Sequence, residues 1–369
     1  MMLQGLLHMV ARITLICGLV LFSIAVGIGH LVGSTTDPLS TTGSLAPSGV
    51  LQYVESLEPN IARFLDLSSG AQVFVKLPIG DRLDQIACTP WRDREGRAWM
   101  AGRWHGVLEQ KNSATQSEYG LALYRVPDGE CLARVRSETL PAASPCWIPG
   151  FSARIVFAAG DRRLYWFDFD SLNDQSGLLS RAPERIEWRP GTWPEGEPMV
   201  FETHSPTAAS TEDLVLVSLM PWSSEKNRYL PAQIWWIRLD RAGTRIAKTG
   251  RLLAPNLSPD GNESEERRPI LSQTPTGELV LLYQARAREG MPWQTRAVPV
   301  RFNASTDSLR VGDGIILDKD LRISVQALSS DCRWVYTIVR DYGQPARVRR
   351  LPMAETWLAG NQTSALDIH

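Results

Sequence analysis

At 369 residues the chain can form one large domain or two ordinary ones, each with a sizeable buried core. A formal net charge of −1 shows no electrostatic commitment and argues against nucleic acid as a partner, since phosphate recognition needs a basic face. Thirteen Trp, most of them inside alternating apolar runs such as QIWWIRLD, belong to sheet cores before they belong to ligands.

In chain order the first element is ITLICGLVLFSIAVGIGHLVG, Ile13 to Gly33. About 20 apolar residues at ~1.5 Å rise span a bilayer core. Arg12 precedes the run, and no Lys or Arg follows until Arg63. The positive-inside rule therefore keeps residues 1–12 in the cytoplasm and sends the rest across. A cleaved signal peptide is the competing reading, but the run exceeds the ~7–15 residues of such a segment. The expectation is a single-pass signal anchor in a bacterial inner membrane, with the remainder in the periplasm or outside the cell. Ser34 to Gly49 (STTDPLSTTGSLAPSG) has no periodicity and reads as a flexible tether, leaving 50–369 as the folded domain.

LQYVESLEPNIARFLDLSSGAQVFVKLP, Leu51 to Pro78, reads as strand, turn, strand, turn, strand: a sheet without its innermost strand. Five longer units follow, each with a Ser/Pro/Trp-containing segment, a polar turn, an apolar strand, a variable loop and a second strand. Their first long strands begin near Arg97, Ala153, Asp213, Glu278 and Arg333, a period of roughly 55–65 residues. The terminal TWLAGNQTSALDIH offers a spare strand. A radial array must hide its first and last edges, so the pattern predicts an all-β β-propeller closed by strands from both termini. Six four-stranded blades fit best, with five or seven as alternatives.

Several pieces resemble the WD40-like repeats of TolB-type six-bladed propellers: Pro90-Trp91, Pro145 with Trp147, LYWFDFD, IWWIRLD, FLDLSSG and TPTGELVLLYQ, over about residues 50–360. The turn positions depart from that pattern at IPG near Pro149 and SDC near Asp331. The resemblance implies a propeller and, because such propellers mostly bind proteins, a protein partner.

No linear motif carries chemistry. G-x-S-x-G and phosphate-cradling Gly-rich loops are missing, and no catalytic residue is assigned. His105 and His204 have no second His or carboxylate at ligand spacing, and Cys88, Cys131, Cys146 and Cys332 form no C-x-x-C pair, so no cofactor is expected. Free buried thiols are the preferred reading of those four. In SPDGNESEERR, Asp260, Asn262, Ser264 and Glu266 alternate and could present oxygens to calcium, although a solvated loop explains them better. Trp235 and Trp236 must point to opposite faces of one strand. Trp222 and Trp293 fall in longer loops, and Tyr229 in the NRYLPA stretch, which makes these three the candidate binding residues. A membrane-anchored docking or assembly platform accordingly ranks ahead of the alternative, an extracytoplasmic enzyme acting on a glycan or peptide at a central funnel lined near Cys88–Pro90 and Cys146–Trp147. A cluster of carboxylates or His at the funnel mouth, with perturbed pKa values, would favour the enzyme.

Overall fold

The computed structural model describes residues 50–108, 116–148, 153–172, 179–188, 199–201, 207–208, 214–223, 225, 227–240, 242–252, 265–274, 278–286, 291–303, 308–318, 323–339 and 344–353. Among them the regular structure is strand apart from one 3-10 turn at Phe169–Leu172. No described helix is long and apolar enough to cross a membrane, and the Ile13–Gly33 segment, the tether and the terminal TWLAGNQTSALDIH lie outside the described residues.

Six sheets follow one another along the chain. The first holds β1 (Leu51–Glu58), β2 (Ile61–Asp66) and β3 (Gln72–Lys76). The second runs from β4 (Asp81–Cys88) through β5 (Ala98–Leu108) and β6 (Gln116–Val126) to β7 (Cys131–Arg136). The third contains β8 (Cys146–Trp147), β9 (Arg154–Ala158) and β10 (Leu164–Asp168). Its chain then detours through β11 (Leu179–Ser180), which pairs in parallel with β7, before returning as β12 (Glu184–Arg185). The fourth is built on β15 (Leu214–Ser223), β17 (Gln233–Leu239) and β18 (Ile246–Arg251), with short strands β13 (Met199–Phe201), β14 (Thr207–Ala208) and β16 (Arg228–Tyr229) on β15. The fifth joins β19 (Glu265–Gln273), β20 (Leu279–Arg286) and β21 (Gln294–Asn303) to β22 (Ser308–Val311) and β23 (Ile315–Asp318). The sixth is β24 (Ile323–Leu328), β25 (Trp334–Val339) and β26 (Arg347–Pro352).

The five long strands expected near Arg97, Ala153, Asp213, Glu278 and Arg333 are β5, β9, β15, β20 and β25. Four strands per sheet holds only for the third; detours and short ribbons enlarge the second, fourth and fifth, and three strands are described in the first and sixth.

Each sheet buries both faces, and the clusters join the sheets into a ring. Phe64 and Val75 of the first sheet pack on Leu83 and Met100 of the second. Leu121 and Val135 of the second meet Ile155 and Phe157 of the third. Val156 and Trp166 of the third meet Val217 and Trp235 of the fourth. The next cluster carries Trp236 across to Leu281 and Tyr283 of the fifth. Leu282 then packs with Val335, and Tyr336 and Ile338 return to Val54 and Leu65 of the first sheet. The architecture is a propeller-like, closed all-β array. Trp235 and Trp236 do face opposite interfaces, as period-2 geometry requires.

Turn chemistry explains the recurring Asp at strand ends. Asp66 Oδ1 accepts from Ser68 N at 2.8 Å, and Asp240 Oδ1 from Thr244 N at 2.9 Å, so each carboxylate satisfies turn amides that the ladder leaves unpaired. The four described cysteines are free thiols; Cys88, Cys146 and Cys332 are buried.

β1 runs antiparallel to its neighbour β4: Ser56 Oγ donates to Leu83 O at 2.9 Å, while Pro59 sits beside Gly80 and Asp81 at the other end.

Because the two adjacent indoles serve separate interfaces, Trp235→Phe and Trp236→Phe are each expected to cost about 1–3 kcal/mol in urea denaturation. The double variant should match their sum to within about 0.5 kcal/mol. Strong coupling would show that the rings share one core.

Candidate functional site

The second sheet changes character halfway along one face. On β5, Trp99, Ala101, Arg103 and His105 alternate on that face. Trp99 and Ala101 pack with the third sheet. That sheet's inner strand, β8, has only 2 residues, and Trp147 Nε1 donates to Ala87 O at 3.0 Å, so its cover falls on the far end of β4. Beyond it the same face carries Arg82 and Asp84 from β4, Arg103 and His105 from β5, and Tyr119 from β6.

These side chains are organised. Arg103 grips Asp84 bidentately, Nε to Oδ1 at 2.6 Å and Nη2 to Oδ2 at 2.8 Å. His105 Nε2 stands 3.5 Å from Asp84 Oδ2, beyond a good hydrogen bond, and the imidazole meets Tyr119 edge-on at 5.1 Å. Burial pushes the His105 pKa below its ordinary value; the Asp84 charge opposes this, and the Arg103 and Arg82 charges reinforce it. The imidazole is therefore neutral at pH 7. Tyr119 is 49% exposed. Arg82 is exposed, and its side chain has no ion pair or hydrogen bond among the described residues. A cleft of about 370 Å³ crosses this end of β4, lined by Pro59, Asn60, Ile79, Gly80, Asp81, Arg82 and His105.

The opposite face supplies the floor. Asp81, the first residue of β4, is buried and accepts from Trp104 Nε1 at 3.1 Å, Tyr124 Oη at 3.0 Å and Arg134 Nη2. Gly106 makes this reachable, since a Cβ there would lie 2.2 Å from the Trp104 ring. Arg134 also donates through Nε to Cys131 Sγ at 3.1 Å and lies 5.2 Å from the Trp104 ring centre. Burial raises the Tyr124 pKa, keeping the phenol a donor. Three donors on one carboxylate make Asp81 a structural node.

The residues singled out from sequence lie elsewhere. Trp222 is in strand β15, paired with Tyr229 of β16, and not in a loop. Tyr229 is exposed, with the Arg162 guanidinium 5.3 Å from its ring centre. Trp293 is half-buried beside two guanidinium groups, Arg267 at 3.7 Å and Arg286 at 4.7 Å, so packing accounts for it. Of the calcium candidates, Glu266 is buried within β19, while Asp260, Asn262 and Ser264 lie outside the described residues, as does His204. No grouping of three or more metal-ligating side chains occurs among the described residues. His105, read as an ordinary strand histidine without a carboxylate, gains Asp84 through the β4–β5 pairing.

No family model matches the sequence, and no curated protein does. Solved structures do resemble it. The NanB sialidase of Streptococcus pneumoniae is 8% identical over 85% of this chain and 68% of its own, with a TM-score of 0.42. The endo-arabinase of Bacteroides thetaiotaomicron is 10% identical over 74% of this chain and 94% of its own, with a TM-score of 0.37. An ulvan-cleaving polysaccharide lyase is 11% identical over 84% of this chain and 83% of its own, with a TM-score of 0.39. Each of these neighbours is named for an activity on a glycan, and none for the docking or assembly role that was ranked ahead of an enzyme. The premise of that ranking, the lack of a linear catalytic signature, fails in a sheet array. Strand pairing unites Arg103 with Asp84 across 19 residues, and no motif search spans that separation.

In an NMR pH titration His105 should therefore show a midpoint below the ordinary ~6.5. Asp84→Asn should move it lower still, because it removes the attracting charge and frees that of Arg103. By linkage, the stability tied to the neutral ring is fully present above pH ~6.5 and is lost as pH falls through the lowered folded-state value. An unshifted or raised midpoint would show that the imidazole is solvated.

Proposed function

We propose that the chain is an enzyme acting on a glycan, with the Arg82–His105 cleft as its active site. One observation carries this reading: an imidazole, beside a carboxylate locked by Arg103, lines a cleft of about 370 Å³. A neutral histidine is suited to take a proton near pH 7 and return it as an acid.

In this mechanism a sugar ring lies against the exposed face of Tyr119, and His105 exchanges a proton with a sugar oxygen or an adjacent carbon. Asp84, 3.5 Å from Nε2, stabilises the imidazolium that forms, and Nδ1 is the nitrogen that meets the substrate. Arg103 fixes Asp84. The Asp81 node keeps β4, β5 and β6 in register beneath the reacting groups. Hydrolysis by a pair of carboxylates is disfavoured, because Asp81 and Asp84 are both committed to arginines.

The proposal extends to the rest of the chain. The six sheets are taken as the six blades of a propeller closed between its termini. The Ile13–Gly33 segment anchors the domain to a bacterial inner membrane, which places the cleft outside the cytoplasm where polymeric glycans are met.

Incubation with a panel of neutral and acidic polysaccharides, read by mass spectrometry of released oligosaccharides, tests the activity. His105→Gln should lower the rate by about 10²–10⁴-fold with an unchanged melting temperature. A variant that cleaves at the wild-type rate would remove His105 from the mechanism, and cleavage of nothing in the panel would end the enzymatic reading.

A further inference from the structure

We propose that Arg82 makes the cleft selective for carboxylated sugars, its guanidinium pairing with the acid group of a uronate-type residue beside His105. The inference rests on the cleft being the glycan site and adds the class of glycan.

The strand arginines of the second sheet support it. Arg103 pairs with Asp84, Arg125 with Glu130, Arg134 with Asp81 and Arg136 with Glu118. Arg82 alone among the five has no carboxylate among the described residues, and it lines the cleft with His105. The two acidic side chains nearest in sequence cannot neutralise it: Asp84 is held through both oxygens by Arg103, and Asp81 turns to the other face to meet Trp104, Tyr124 and Arg134. An exposed arginine often needs no partner. This one stands close enough to His105 for its charge to be felt by the ring, so an anion bound to Arg82 would lie beside the proton-transferring group. The planar fork matches a carboxylate in a bidentate pair, and a sulfate ester presents similar oxygens. Gly80, at φ +90°, and exposed Ile79 form the lip. They offer an acidic sugar no competing charge.

The test uses the intact domain and calorimetric binding of oligosaccharides from polygalacturonate, alginate and hyaluronan, each beside its carboxyl-reduced counterpart, together with a sulfated neutral galactan. Wild-type protein should bind at least one carboxylated member about tenfold or more tighter than its reduced form. Arg82→Ala should abolish that preference while leaving the melting temperature unchanged, and Arg82→Lys should restore part of it. Equal affinity for every pair, or a preference that survives in Arg82→Ala, overturns the inference. Binding of the sulfated galactan as tight as that of the best uronate, and equally Arg82-dependent, overturns carboxylate selectivity in favour of anions generally. The two proposals separate cleanly. Arg82-dependent binding of uronates without cleavage upholds the selectivity and defeats the enzyme, whereas His105-dependent cleavage of neutral glycans alone does the reverse.

Discussion

A β-sheet with two apolar faces has to be covered on both, and this constraint shapes the molecule. None of the six sheets could stand alone, because each carries a large side chain toward either neighbour, as Trp235 and Trp236 do from adjacent positions. Full burial of such a side chain contributes about 1.5–3 kcal/mol, and a linear stack would forfeit that gain at its two ends. Closing the stack into a ring recovers it, and the cluster joining Tyr336 and Ile338 to Val54 and Leu65 is that closure.

The same constraint locates the candidate site. A face is free for polar chemistry only where its neighbour stops short, and among the described residues the third sheet's inner strand, the two-residue β8, covers only one end of β4. Along β5 the outward series Trp99, Ala101, Arg103, His105 follows the edge of that cover closely: apolar beneath it, charged and titratable beyond it. The opposite face of the same strands buries two acids, Asp81 matched with three donors and Glu118 paired with Arg136. Rigidity on one side and openness on the other come from a single mismatch in strand length. A site built this way sits on strands, and its geometry is held by the ladder more tightly than a loop could hold it.

Much of the ring was legible in the sequence because its signals are local. Strand onsets at Arg97, Ala153, Asp213, Glu278 and Arg333 were readable to within a residue, since apolar runs bounded by polar turns depend only on neighbouring positions. The opposing roles of Trp235 and Trp236 followed from period 2 alone. Strand number per sheet was not legible, because β11, β13, β14 and β16 are two- or three-residue ribbons that pairing creates and propensity does not. The site was missed for a related reason. The stretch RAWMAGRWHG does show its outward positions turning from Trp and Ala to Arg and His, but that change gains meaning only when β8 proves too short to cover it.

The aromatic residues misled for the converse reason. Trp293 was singled out because loops give an indole little to pack on, yet two arginines from flanking strands approach its ring. A guanidinium is flat, weakly hydrated and able to stack, so an Arg-rich protein can use it where others use an aliphatic side chain. The same pairing recurs at Arg154 on Trp166, at Arg350 on Trp334 and at Arg134 on Trp104. Arginine in this fold is thus chiefly a packing and ion-pairing residue. Against that background an aromatic ring says little about ligands. Arg82, exposed in the cleft beside His105 and without an ion pair among the described residues, is the more informative position.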